Sequence, residues 1–149
     1  MQLFSRYFKP TFTCKNIFDI DLSLLNQRKI RLLILDIDKT LGAIKQKTPS
    51  EDVIEWLEHA KSKGFLLYIM SNNRQSRVKE FAENLDIPFI YKAMKPLKLN
   101  FKRIINNCGV TPEQTCMVGD KYFTDILGAN RMGFCSVLVD GGYFNEYNK

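Results

Sequence analysis

The chain has 149 residues, 45% hydrophobic and 26% charged, with 22 basic against 16 acidic side chains for a net charge of +6. That size and composition belong to one ordinary globular domain, able to bury ~70% of its unfolded surface without covalent staples. Four scattered cysteines and a lone histidine argue against a zinc site or a disulfide framework, and no apolar run approaches the ~18 residues of a membrane-spanning helix.

The first segment stands apart. Residues 1–31 carry six Lys/Arg against two Asp, no acid precedes Asp19, and Pro10 interrupts any long helix. The apolar run of a secretory signal is missing. Residues 1–29 are therefore expected to form a basic arm packed on a domain made by residues 30–149. Its aromatics Phe4, Tyr7, Phe8 and Phe12, beside Arg6, Lys9 and Lys15, either pack on that domain or dip into an anionic membrane interface.

From residue 30 the pattern alternates. Ile30–Ile37, Phe65–Met70, Phe89–Tyr91, Thr115–Val118 and Phe134–Val139 read as buried strands. Between them Val53, Ile54, Trp56, Leu57 and Ala60 share one helical face, as do Val78, Phe81, Ala82 and Leu85. Leu97, Phe101, Ile104, Ile105 and Cys108 form a third face, and a shorter helix is expected over about Phe123–Met132. Thr48-Pro49-Ser50-Glu51 reads as a capping box with proline at the first helical position, and Lys63-Gly64 as a stop. His59, mid-helix, reads as structural, and Asp140-Gly141-Gly142 as a turn. Alternating strands and helices imply an α/β fold, a parallel sheet of about five strands with right-handed crossovers.

A parallel sheet gathers the C-terminal ends of its strands along one edge, where ligands bind. The residues just past each run are polar. They are Asp36-Ile37-Asp38-Lys39-Thr40, Ser71-Asn72-Asn73, Lys95-Pro96 and Gly119-Asp120, with Asp125 five residues on. Asp36 and Asp38 lie two apart, so in extended chain they project from the same side. Three carboxylates in one crevice repel unless a cation and a lysine offset them. Magnesium fits, because it takes one or two carboxylates, keeps water and accepts a phosphate oxygen. Two neighbouring acids can then divide nucleophilic and acid–base work. Taken singly, each of these stretches has turn or helix-cap chemistry as its lesser alternative.

In order, DIDKT, SNN, KP and GDKYFTD resemble the four motifs of the haloacid dehalogenase (HAD) superfamily of aspartate-nucleophile phosphatases. NIFDID (Asn16–Asp21), Ser71–Asn73, Ala93–Pro96 and Val118–Gly133 resemble more narrowly its YqeG-like, subclass IIIA branch, which includes phosphatidylglycerophosphate phosphatases. The resemblance covers roughly residues 15–140 and implies a three-layer Rossmann-like fold. It also implies roles. Asp36 is the nucleophile. Asp38 is the acid and base, with its backbone carbonyl on magnesium. Lys95 neutralises the transferring group. Thr40 orients the loop, and Ser71 and the Asn72 amide hold the phosphoryl oxygens. Asp120 ligates the metal, which Asp125 supports unless it anchors Lys95. Lys39 and the stretch LGAIKQK, which lacks a Trp-containing turn, depart from the branch pattern.

Neither the gap from Thr40 to Pro49 nor that from Asn73 to Lys95 can hold a cap domain of the usual ~50 residues or more. The site is expected to be open. An open site suits a lipid-borne phosphomonoester such as phosphatidylglycerophosphate, reached by peripheral contact from the cytoplasm. It also suits a soluble sugar or nucleotide phosphate, or a nucleic-acid end, although no nucleic-acid partner is expected. A non-enzymatic phospho-acceptor on the same fold is the remaining alternative.

Overall fold

The computed structural model describes residues 5–145. Six strands form one wholly parallel sheet: β1 (Phe12–Cys14), β2 (Leu32–Leu35), β3 (Leu66–Met70), β4 (Phe89–Ile90), β5 (Thr115–Gly119) and β6 (Cys135–Val139), in the order β1-β6-β5-β2-β3-β4. The helices are α1 (Leu22–Gln27), α2 (Glu51–Ser62), α3 (Gln75–Ala82), α4 (Lys98–Cys108), α5 (Leu127–Met132) and α6 (Gly142–Asn145). All five expected strands are present, within one or two residues of their expected ends. The sixth is β1, which comes from the segment read as an arm and pairs with β6 through Phe12–Val137, Thr13–Leu138 and Cys14–Val139.

The two-residue period of the strands divides the core into two layers. Leu33, Leu35, Leu67, Ile69, Cys116, Val118, Val137 and Val139 face one way, packing with Val53, Trp56, Leu57 and Ala60 of α2 and Val78, Phe81 and Ala82 of α3. Leu32, Ile34, Tyr68, Met70 and Met117 face the other, against Phe101, Ile104 and Ile105 of α4, Ala129 of α5 and Phe134. Helices on both faces of a parallel sheet make a three-layer α/β fold, as the resemblance implied.

Three local readings are corrected. Ile54 and Leu97, placed on core faces by the 3.6-residue period, are 39% and 53% exposed. Ile54 sits beside rather than under the α2 stripe, and Leu97 precedes the first turn of α4. The α2 cap is Ser50, whose Oγ accepts from Val53 N at 3.3 Å, while the Thr48 carbonyl accepts from Gln46 Nε2 at 2.9 Å and so belongs to the preceding loop. The expected helix over 123–132 opens instead with a wide turn, Tyr122–Ile126, in which Asp125 N and Ile126 N both donate to the Lys121 carbonyl.

The chain leaves β2 to build β3 and β4 on one side, then returns to build β5 and β6 on the other. The strand order therefore reverses at β2, and the crevice at its C-terminal end is where such sheets bind ligands. From 36 to 50 the chain contains only turns and one isolated bridge, Asp38 to Gly42, so no domain is inserted there.

Candidate active site

Asp36 follows β2 directly and is 6% exposed, with its N–H donating to the Val118 carbonyl at 3.1 Å. The chain then folds back on itself, as Thr40, Leu41 and Gly42 N–H groups all donate to the Ile37 carbonyl and Lys39 adopts φ 63°. This turn presents Asp36 and Asp38 to one cavity of 320 Å³, shared with Ser71, Asn72, Asn73, Lys95, Lys121 and Thr124.

Lys95 is the hub. Its buried Nζ donates to Asp125 Oδ1 at 2.6 Å, to the Met70 carbonyl at 2.9 Å and to Asp36 Oδ1 at 3.1 Å, which uses all three ammonium protons. Burial pulls the Lys95 ammonium down, but the charges and hydrogen bonds of Asp125 and Asp36 outweigh it, and the net shift is upward. The lysine stays charged. Its backbone is clamped by the Asn72 side chain, with Lys95 N to Asn72 Oδ1 at 2.8 Å and Asn72 Nδ2 to the Lys95 carbonyl at 3.0 Å.

Asp125, fully buried behind Lys95, accepts from Lys121 N at 3.2 Å through its second oxygen. The wide turn at 122–126 serves this contact, because it aims Asp125 inward at Lys95. One carboxylate oxygen from each of Asp36, Asp120 and Asp125 lies within 4.8 Å of the others. Burial and the neighbouring Asp125 push Asp36 up to about 6, against the pull of Lys95. Burial and Asp36 push Asp120 up to about 6, against the pull of Lys121 and Lys39. Asp120 Oδ1 is buried without a hydrogen-bond partner. Three hard oxygen donors, one of them orphaned, and a lysine that serves only two fit a small divalent cation.

Two groups hold Asp38: Arg77, which the sequence reading did not single out, and Asn73, named there only as part of the SNN stretch and given no role. Arg77, from the first turn of α3, donates to Asp38 Oδ1 at 2.9 Å and to the carbonyls of Gln46 at 2.6 Å and Ala43 at 3.2 Å. Its guanidinium lies 5.3 Å over the Phe81 ring. Asn73 Nδ2 donates to Asp38 Oδ2 at 3.1 Å. Both carboxylate oxygens of Asp38 are thereby fixed. In sequence, the only hint of Arg77 was its place four residues before a core phenylalanine.

The remaining expected residues fall as follows. Ser71 is buried in the cavity wall and its Oγ accepts from Asn73 N at 3.0 Å, which leaves the hydroxyl proton available. Thr40 is 1% exposed and does not line the cavity, and its Oγ1 has no hydrogen-bond partner. Asp120 and Asp125 do not line the cavity and meet it only through Asp36, whose carboxylate they approach within 4.8 Å. His59 is exposed on α2.

A parallel sheet with a reversal at β2, carboxylates and a charged lysine at that point, and room for a phosphate define a class of hydrolase. The family model of haloacid dehalogenase-like hydrolases matches residues 5–133. The chain is 37% identical over 152 residues to the "Probable phosphatase YqeG" of Bacillus subtilis (strain 168), covering 99% of this chain and 88% of that protein. It is 25% identical over 140 residues to "Phosphatidylglycerophosphate phosphatase 1, chloroplastic/mitochondrial" of Arabidopsis thaliana, covering 88% of this chain and 40% of that one. Among solved structures, an uncharacterized protein from Listeria monocytogenes serotype 4b superposes with a TM-score of 0.63 at 21% identity, over 74% of this chain and 79% of that chain. The chain belongs to the haloacid dehalogenase-like hydrolases. Within them it is similar to the YqeG-like phosphatases, and it is an enzyme of that phosphatase type.

Proposed function

We propose that the chain hydrolyses phosphomonoesters through a covalent aspartyl phosphate on Asp36, with magnesium, and that its substrate is a lipid headgroup phosphate of the phosphatidylglycerophosphate kind. The observation that carries the chemistry is Asp36 itself. It is buried at the cavity floor, bonded to one lysine and next to a second acid, Asp38, that is held by other groups. Asp36, Asp120 and Asp125, with the Asp38 carbonyl, are the groups that would hold the magnesium. When bound, the ion supplies positive charge that offsets the carboxylates and the phosphoryl oxygens.

Water is the one further reactant. The phosphoryl oxygens lie against the Ser71 hydroxyl and the Asn72 backbone N–H, with the Lys95 charge beside them, while an Asp36 oxygen attacks phosphorus. As the bond to the ester oxygen breaks, Asp38 gives its proton to the departing alkoxide. Asp38, now ionised, takes a proton from water as the water oxygen attacks the same phosphorus. The acyl phosphate bond breaks, inorganic phosphate leaves and Asp36 is restored.

Two observations support a lipid substrate. The relative named as a phosphatidylglycerophosphate phosphatase matches across 88% of the chain. Only turns and one bridge occupy residues 36–50. The lining is polar, so it fits a headgroup and leaves acyl chains outside. The arm-docking expectation included Phe4, which lies outside the described residues. Among the described residues no helix is long and apolar enough to cross a membrane.

Turnover of nitrophenyl phosphate with magnesium tests the chemistry. The wild type is expected to turn over, and Asp36→Asn to lose all but a trace of activity while its circular dichroism is unchanged. An Asp36→Asn protein as active as the wild type would refute the nucleophile. Phosphate release from vesicle-borne phosphatidylglycerophosphate, compared with soluble sugar phosphates, decides the substrate class.

A further inference from the structure

The cavity is polar, but its surroundings are not. Among the described residues nine large hydrophobic side chains are exposed, and six of them are Tyr91, Met94, Leu97, Leu99, Tyr122 and Phe123. These six come from the two segments that carry Lys95 and Lys121 of the cavity wall. Leu99 is 67% and Phe123 is 72% exposed. Phe8 of the N-terminal segment packs edge to face on Phe123 at 5.3 Å, which leaves Phe123 still exposed on this surface.

Cations are threaded through it. Lys98 stands between Leu97 and Leu99, and Lys121 precedes Tyr122. Arg6 hydrogen-bonds the Tyr7 hydroxyl at 3.0 Å and its guanidinium lies 5.0 Å over the Tyr7 ring, while Asn130 Nδ2 ties the carbonyls of Tyr7 and Lys9 to α5. The Tyr7 hydroxyl is held below its usual value by that hydrogen bond and by the charges of Arg6, Lys98 and Arg131. Acids are nearly absent. Residues 5–12 and 91–103 contain none, and the one in residues 121–134, Asp125, is buried against Lys95.

We infer that this rim, Met94, Leu97, Leu99 and Phe123 with Lys98, Lys121, Arg6 and Arg131 among them, is a docking surface for an anionic phospholipid bilayer. Apolar side chains would enter the acyl boundary while the cations pair with lipid phosphates. A second copy of the chain is a poor occupant, because two such faces would bring cations against cations. Docking deepens the lipid-phosphate reading above and rests on it for its purpose, since it sets the cavity mouth at the headgroup plane. A substrate phosphate could then enter without its lipid leaving the membrane.

The test is co-sedimentation of the full chain with vesicles of phosphatidylglycerol and phosphatidylcholine in equal parts, and with phosphatidylcholine alone. The expected result is binding to the first and little to the second, weakening as the Debye length falls from ~10 Å at ~0.1 M salt to ~3 Å at ~1 M. Leu99→Ser should weaken binding about tenfold, through the apolar area it no longer inserts. Lys98→Gln should weaken it about fivefold. Both should turn over nitrophenyl phosphate at the wild-type rate, which shows an intact fold. Ile54→Ser, an exposed apolar site on α2, should bind vesicles like the wild type. No binding of the wild type to anionic vesicles overturns the inference, as does Leu99→Ser binding undiminished. So does a dimer, by light scattering, that Leu99→Ser abolishes in a chain that ignores vesicles. Phosphatidylglycerol is not a phosphomonoester, so docking is read without turnover. Docking with no release from vesicle-borne phosphatidylglycerophosphate would sink the substrate reading and leave the surface standing.

Discussion

Asp36 and Asp120 both stand near 6 because burial and a neighbouring carboxylate disfavour their ionised forms. The sign follows. An acid harder to ionise in the folded chain contributes stability at a pH below its unfolded value of about 4, and that contribution is lost as pH rises through about 6. In chelator, Asp120→Asn should therefore melt a few degrees above the wild type at about pH 8, with the gap closing below about pH 4. Calorimetry across that range checks it, and a gap that widens toward acid would contradict it. Added magnesium should raise the melting temperature of the wild type more than that of Asp120→Asn, since a ligand stabilises only the state that binds it. Arg77 makes a different prediction, through Asp38. Arg77→Ala should cost about 10- to 100-fold on alkyl phosphates, whose basic leaving group needs a correctly placed acid, and far less on nitrophenyl phosphate. Arg77→Lys should recover part of the loss, and equal losses on both esters would make the arginine merely structural. The sequence made the acids legible, because paired polar breaks after apolar runs are hard to mistake. It did not make Arg77 legible, because its value lies in contacts to residues more than thirty positions away.

At the scale of elements, what was read well had a period, and what was missed had none. β2, β3, β5 and β6 are apolar runs of four or five residues, and the faces of α2, α3 and α4 repeat over two turns or more. β1 spans only Phe12–Cys14, too short for alternation to register, and its strand character depends on pairing with β6. The turn at 122–126 could not be foreseen either, since Asp125 reaches Lys95 through tertiary contact while its local sequence suits an ordinary helix. Leu97 shows the converse, a residue in perfect helical period that the end of the helix leaves in solvent. Gly119, the last residue of β5, is where element and site meet. A Cβ there would overlap the Asp125 carboxyl group. Gly119→Ala should therefore move Asp125 off Lys95, with at least a tenfold loss of turnover at unchanged secondary structure. Wild-type activity in that variant would show that the Asp125–Lys95 pair is not needed as placed.

At the scale of the molecule, the chemistry sits where the strand order of the parallel sheet reverses, with no domain inserted over residues 36–50. The alternation of strands and helices was enough to expect this architecture, since a parallel sheet has one edge where strands end. The apolar rim around the cavity was not legible, because in sequence an exposed leucine and a core leucine are the same letter. Family membership fixes the class of enzyme, and the nucleophile remains the point on which the mechanism turns. The most direct measurement is to mix the protein and magnesium with a fast aryl phosphate, quench in acid within one turnover and map the phosphoryl group by peptide mass spectrometry. The account expects an acid-stable, base-labile phosphate on the peptide containing Asp36, absent from Asp36→Asn. A phosphoryl group found on another residue, or full turnover with none trapped at any time, would contradict it.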